Sequence, residues 1–324
     1  MADVELYVGD DKLDCVIAGV PSCTRAELVF CTSHSGYVEC CTDPSYAGQA
    51  LVLTSALVGA HGVPKAAMQS AGFQPALIVC ANPAPEFVSF VLQLGGCCAI
   101  VKSVRHLVRA ARHGAVMTAS RVKLGASSNS AMLSVASDPR VIIADFGCKT
   151  GLAGELLKRG MTPEIISARD ADAVTKRARS VRAVLLSNGP GDPSADARGA
   201  ALASSLISAG CRVAGVCYGH QLLCIASGMR VSKMPVGHRG ANHPVRATAT
   251  GELLITSHNH GYAVAAAPRS VVTHFSVLDG TVEGVRTSEF MSVQFHPEGC
   301  PGPRADGVMD TICDHLRGHS EQLV

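Results

Sequence analysis

In Gly215-Val216-Cys217-Tyr218-Gly219 a cysteine lies between two glycines, where an apolar run at 211–216 gives way to a helical pattern at 221–226. A strand that turns straight into a helix lifts the middle residue out of the sheet on a strained turn, which small neighbours permit. The helix N-terminus adds unpaired N–H groups and a dipole, both favouring the thiolate that attacks carbonyl carbon. Any one of 14 cysteines taken at random is a buried structural residue. The two bracketing glycines move this one toward catalysis.

A nucleophile of this kind needs a base, an orienting group and donors for an oxyanion. In Met291-Ser292-Val293-Gln294-Phe295-His296-Pro297-Glu298 a strand pattern again runs into a turn. His296 suits the base, and Glu298, two residues on, suits the carboxylate that holds its tautomer. The loop Ser187-Asn188-Gly189-Pro190-Gly191-Asp192-Pro193 follows a strand directly and is rich enough in glycine to present backbone N–H groups to an anion. Alone, it would be an ordinary tight turn.

The elements that must position these residues alternate. Strand patterns at 141–147, 181–187 and 211–216 are separated by helical patterns at 152–159 and 195–209, the signature of βαβ units and a mostly parallel sheet. Ligands of such sheets bind beyond the carboxyl ends of the strands, where Cys217 would stand. Upstream the texture differs. Short β-type runs at 28–31, 50–54 and 77–80, an apolar stretch at 87–101 and a helical basic face at Arg105, Arg109 and Arg112 predict a smaller mixed α/β domain. Ser/Asn-rich residues at 127–130 and a Ser-Asp-Pro turn at 137–139 mark a linker. The domains are therefore expected at 1–137 and 138–324.

Over 324 residues, 47% are apolar and 17% charged, with a net charge of +2, which fits a compact soluble protein and not a nucleic-acid binder. The 87–101 stretch, broken by Ser89 and Gln93, is too short to span a membrane. The acidic N-terminus lacks the basic and apolar regions of a leader, so a cytoplasmic location is expected. Fourteen cysteines without a C-x-x-C pair argue against a disulfide framework and a zinc site, and pairs such as Cys40-Cys41 and Cys97-Cys98 read as small apolar residues.

The elbow, the His-Pro-Glu and the 187–193 loop together resemble the class I, triad-type glutamine amidotransferase domain. Further segments at 145–149, 237–245, 256–262 and 279–284, and above all Thr42-Asp43-Pro44-Ser45-Tyr46-Ala47-Gly48-Gln49, narrow the resemblance to the small, glutaminase subunit family of carbamoyl-phosphate synthase. It covers nearly the whole chain and is weakest at 64–133. It implies a glutaminase in which Cys217 attacks the side-chain amide of L-glutamine, His296 moves the proton and Glu298 orients His296. It also implies oxyanion donors at the N–H groups of Gly191 and Tyr218, and a pocket lined by Ser45, Gly189, Gln221, Asn259, Gly261 and Tyr262. Ser45 comes from the first domain, so that pocket would lie between domains.

The implied partner is a large synthetase subunit, or a fused synthetase region, that makes carbamoyl phosphate from bicarbonate and ATP. ATP and magnesium would belong to that partner, and no cofactor is expected in this chain. Three positions depart from the family pattern. Tyr218 replaces the usual leucine, which matters little where the backbone is the donor. His258 stands where glutamine is commoner; the resulting His258-Asn259-His260 run is set aside as a metal site, because His238 and His243 already belong to a family segment. Lys102-Ser103-Val104-Arg105 replaces an acidic-Thr-Arg sequence, which touches subunit contacts and not glutaminase chemistry. The alternatives are a non-catalytic or regulatory protein on the same fold and a stand-alone glutaminase.

Overall fold

The computed structural model describes residues 4–119 and 140–319. These form two compact units, one of 4–119 with Arg239–Ala241, the other of 140–238 with 242–319. The boundary expected at 137/138 and the linker residues 127–130 and 137–139 lie outside the described residues.

The first unit is an eight-stranded mixed sheet with strands β1 (Leu6–Val8), β2 (Asp11–Lys12), β3 (Val16–Gly19), β4 (Arg25–Cys31), β5 (Gln49–Leu53), β6 (Leu77–Cys80), β7 (Cys97–Ile100) and β8 (Val116–Ala119). Their order is β2-β1-β8-β4-β5-β6-β7-β3. Strands β4 to β7 run parallel and are near-continuous apolar runs, as strands covered on both faces must be. The 87–101 stretch resolves into most of helix α2 (Pro85–Gln93), a turn and β7; α1 (Tyr37–Thr42) precedes it in the chain. In α2, Pro85 opens the first turn and Phe87, Phe90 and Val91 form the buried stripe. Cys40, Cys41, Cys97 and Cys98 are core residues. Helix α3 (Arg105–Arg112) buries Leu107 and exposes its three arginines, with Arg112 lying 5.6 Å from the Phe30 ring centre. Lys102 is exposed beside Asp14, a pair worth little in water.

The second unit is a three-layer α/β structure on a nine-stranded sheet. Its strands are β9 (Arg140–Asp145), β10 (Thr162–Ser167), β11 (Ala183–Leu186), β12 (Arg212–Val216), β13 (Arg230–Ala247), β14 (Leu253–Ala266), β15 (Val272–Ser276), β16 (Val282–Arg286) and β17 (Phe290–Val293). Five of them, β10-β9-β11-β12-β17, are parallel, and the sheet continues through β16-β14-β13-β15 in an antiparallel extension. The helices are α4 (Thr150–Lys158), α5 (Ala171–Val181), α6 (Ala197–Ser208), α7 (Tyr218–Ala226) and α8 (Asp306–Arg317). Side-chain alternation along the parallel strands builds both outer layers. Val141, Ile143 and Leu185 pack with Leu152 and Leu156 of α4 and Ile312 and Leu316 of α8. Ile142, Val184 and Leu186 pack with Val174 of α5, Leu202 and Leu206 of α6 and Leu222 and Leu223 of α7. Each fully buried side chain of this size stabilises the layer by about 1.5–3 kcal/mol. No helix among the described residues is long and apolar enough to cross a membrane.

Candidate active site

Four adjacent parallel strands, β9, β11, β12 and β17, end at the same edge of the second sheet, and each hands its chain to a segment singled out above. Cys217 follows β12 directly and caps α7 with φ 54° and ψ −101°, a strained backbone for a residue with a side chain. Its N–H donates to the Val293 carbonyl at 2.9 Å, tying the elbow to the neighbouring β17. The flanking glycines serve close approach and not positive φ. A Cβ on Gly219 would lie 2.2 Å from the Leu186 carbonyl oxygen, and one on Gly215 would lie 2.7 Å from the Gly219 carbonyl carbon. The glycines thus let α7 sit against β11 and β12, while Cys217 itself carries the strain.

His296 and Glu298 emerge from β17 and are buried together, with His296 Nδ1 donating to Glu298 Oε1 at 2.7 Å. The His296 N–H donates to the Ser257 carbonyl at 2.8 Å, which fixes the turn against β14. Burial and the Lys149 ammonium push the imidazole down, but Glu298 and the Cys217 thiol outweigh both and raise its pKa to about 9. Burial likewise pushes Glu298 up, and His296 with Lys149 reverses this and holds the carboxyl well below its usual range.

Lys149 is the residue whose role the sequence reading missed. It is fully buried, with Nζ 2.9 Å from the Cys300 carbonyl and 3.7 Å from Glu298 Oε1. Asp145 Oδ1 accepts from the N–H groups of Gly147 and Cys148, turning the chain after β9 so that Lys149 is directed inward. Asn188 clamps this turn to the 187–193 loop: its Nδ2 donates to the Gly147 carbonyl at 2.8 Å and its Oδ1 accepts from the Lys149 N–H at 3.2 Å. A lysine in an otherwise apolar run just past a strand end was the available signal, since a charge there must be paired.

The remaining predicted residues divide between the units. Tyr218, at the first position of α7, and Gly191, at φ +100°, have N–H groups with no backbone partner among the described residues. The Tyr218 hydroxyl donates to Asp196 Oδ2 at 3.1 Å, away from the nucleophile chemistry. Gly189 is buried where a Cβ would lie 2.7 Å from the Phe146 carbonyl. Gln221 Nε2 donates to the Tyr262 carbonyl at 2.8 Å and to Gln294 Oε1 at 3.0 Å, which leaves the acceptor end of its amide for a ligand. The Asn259 carbonyl accepts from Cys217 Sγ at 3.7 Å, and Gly261 and Tyr262 continue the same strand. Ser45 belongs to the first unit, in a buried 3₁₀ turn at Pro44–Tyr46 whose Asp43 side chain accepts from the Ser45 N–H. His220, next but two to the nucleophile, is wholly buried and bonded to Ser292 Oγ at 2.8 Å.

Two family models match the chain: glutamine amidotransferase class-I over residues 142–315, and the CPSase domain of the carbamoyl-phosphate synthase small chain over residues 9–94. The carbamoyl phosphate synthase small chain of Symbiobacterium thermophilum is 37% identical, over 88% of this chain and 90% of that one. The carbamoyl phosphate synthase pyrimidine-specific small chain of Lactiplantibacillus plantarum is 32% identical over 91% of each. The small chain of Clostridium perfringens is 35% identical, over 86% of this chain and 88% of its own.

Proposed function

The chain belongs to the carbamoyl phosphate synthase small-chain family, and from that premise we propose that it hydrolyses L-glutamine to glutamate through a thioester on Cys217 and delivers the ammonia to a large synthetase chain. The observation that carries this reading is the strained Cys217 at the head of α7 together with the buried His296–Glu298 pair at the end of the adjacent strand.

The Cys217 sulfur attacks the amide carbon of glutamine. The oxyanion that forms is received by the N–H groups of Tyr218 and Gly191, donors with no competing backbone acceptor among the described residues. His296, held by Glu298, takes the thiol proton as sulfur attacks and passes it to the departing nitrogen as the C–N bond breaks, which leaves a γ-glutamyl thioester and free ammonia. Water then attacks the thioester with His296 as base, and the thiol is restored as glutamate leaves. Gln221, Gly189, Asn259, Gly261 and Tyr262 would line the substrate pocket. The partner chain would hold ATP and magnesium and make carbamoyl phosphate from bicarbonate for arginine and pyrimidine synthesis, in the cytoplasm.

Purified protein should release glutamate from glutamine, and do so faster when mixed with its large chain, with glutamine-dependent carbamoyl phosphate appearing. Cys217→Ser should lower both by at least about a thousandfold. Equal inactivity of wild type and Cys217→Ser in the presence of the large chain would mean a non-catalytic protein. Glutamate release that the large chain neither accelerates nor couples to carbamoyl phosphate would mean a stand-alone glutaminase.

A further inference from the structure

Behind the strand that borders the nucleophile lies a cluster the glutaminase chemistry does not use. His238 on β13, His258 and His260 on β14 and Glu283 on β16 are all buried, and each brings one ligand atom to within 4.8 Å of the others. The outer nitrogen of every ring is already committed. His238 Nε2 donates to Asp279 Oδ2 at 2.9 Å, and His260 Nδ1 donates to the Tyr262 carbonyl at 2.9 Å. Thr256 Oγ1 gives its one proton to the His243 carbonyl at 3.0 Å, so at 2.7 Å it accepts from His258 Nε2.

A neutral imidazole has a single N–H. The other ring nitrogens, His238 Nδ1, His258 Nδ1 and His260 Nε2, lie around the Glu283 carboxylate. His258 Nδ1 is 3.1 Å from His260 Nε2, and His238 Nδ1 is 3.1 Å from Glu283 Oε1. Glu283 Oε1 is 3.9 Å from His260 Nε2, Oε2 is 3.7 Å from His258 Nδ1, and Oε2 has no hydrogen-bond partner. A carboxylate oxygen buried without a hydrogen-bond partner is stabilised by a cation beside it. Bonds of about 2.0–2.1 Å from a tetrahedral zinc ion would put ligand atoms about 3.3 Å apart. The observed spacings bracket that value.

We propose that His238, His258, His260 and Glu283 bind a zinc-class divalent cation in a closed, four-coordinate structural site. Three imidazole nitrogens and one carboxylate suit zinc and not calcium or magnesium, which take oxygen ligands. Asp279, Thr256 and the Tyr262 carbonyl are the outer partners that fix ring tautomers around such an ion. Four protein ligands leave no open position, so the ion holds structure and does no chemistry. It ties β13, β14 and β16 together, and between its two β14 ligands stands Asn259, whose carbonyl meets the Cys217 thiol.

The test is metal content, with Cys217→Ser as background so that the elbow thiol is not a ligand. After chelation and reloading, this protein should hold one zinc per chain by mass spectrometry of the metal, and cobalt in its place should give the intense visible bands of a tetrahedral centre. His258→Gln introduces the residue commoner in the family at that position, so it should fold. It should bind zinc at least about tenfold more weakly and lose the tetrahedral cobalt spectrum. Glu283→Gln, nearly isosteric, should do the same through a different ligand. Zinc binding that is substoichiometric, or equal in the background protein and both variants, overturns the site. Since metal is read directly, that result would leave the glutaminase proposal standing.

Discussion

At the scale of single residues, the buried groups around His296 pull on its imidazole in opposite senses. Glu298 and the thiol favour the imidazolium, whereas Lys149 disfavours it. A protonated His296 is the group that can hand a proton to leaving ammonia, so kcat/KM for glutamine hydrolysis should fall as pH rises through about 9. Glu298→Gln removes a contribution that raises the imidazole pKa and should move this alkaline limb to lower pH. Lys149→Met removes one that lowers it and should move the limb to higher pH. Lys149→Met should also cost about 3 kcal/mol of stability, since it deprives a buried carboxylate of a cation. Steady-state rates across pH for the three proteins decide the matter; limbs that stay fixed or shift the same way would remove Lys149 and Glu298 from the control of His296.

At the scale of elements, the elbow depends on how closely α7 approaches β11. Gly219→Ala places a methyl group 2.2 Å from the Leu186 carbonyl oxygen, a backbone atom that cannot swing aside. The helix must shift, at a cost of about 3 kcal/mol, and Cys217 shifts with it. Gly154→Ala in the middle of α4 meets nothing within 4 Å and should stabilise by up to about 1 kcal/mol. Urea midpoints and glutaminase rates of the two variants should therefore diverge, and a Gly219→Ala protein as stable and active as wild type would contradict the packing account. The strand-turn-helix at Cys217 was legible because its signal is local: an apolar run, two glycines and a helix start. The antiparallel extension was not. Strand β13 contains Pro235, Gly237, Gly240 and Pro244, residues that read as turns and become strand only through pairing with distant partners. For the same reason nothing in the local sequence around His258 and His260 announces that β13 and β16 bring His238 and Glu283 to them.

On the scale of the whole molecule, the described residues form two units with separate sheets and cores. The stability of the second unit carries a pH dependence that belongs to its core and not to its chemistry. His220 is wholly buried between α7 and β17, and burial lowers its pKa to about 3. In the unfolded chain the same ring titrates near its ordinary value of about 6.5. Above that pH neither state is protonated and nothing is lost. Below it the unfolded chain takes up a proton that the folded one refuses, so stability falls with falling pH by about 1.4 kcal/mol per unit, until the folded ring itself titrates. His220→Gln abolishes this contribution. Urea unfolding followed by circular dichroism between pH 6.5 and 4.5 should show a shallower loss for the variant, smaller by one proton, even where its stability at pH 7 is reduced by the altered contact with Ser292. Parallel pH profiles for the two proteins would show that His220 is protonated in the folded core and that its bond to Ser292 does not require the neutral ring.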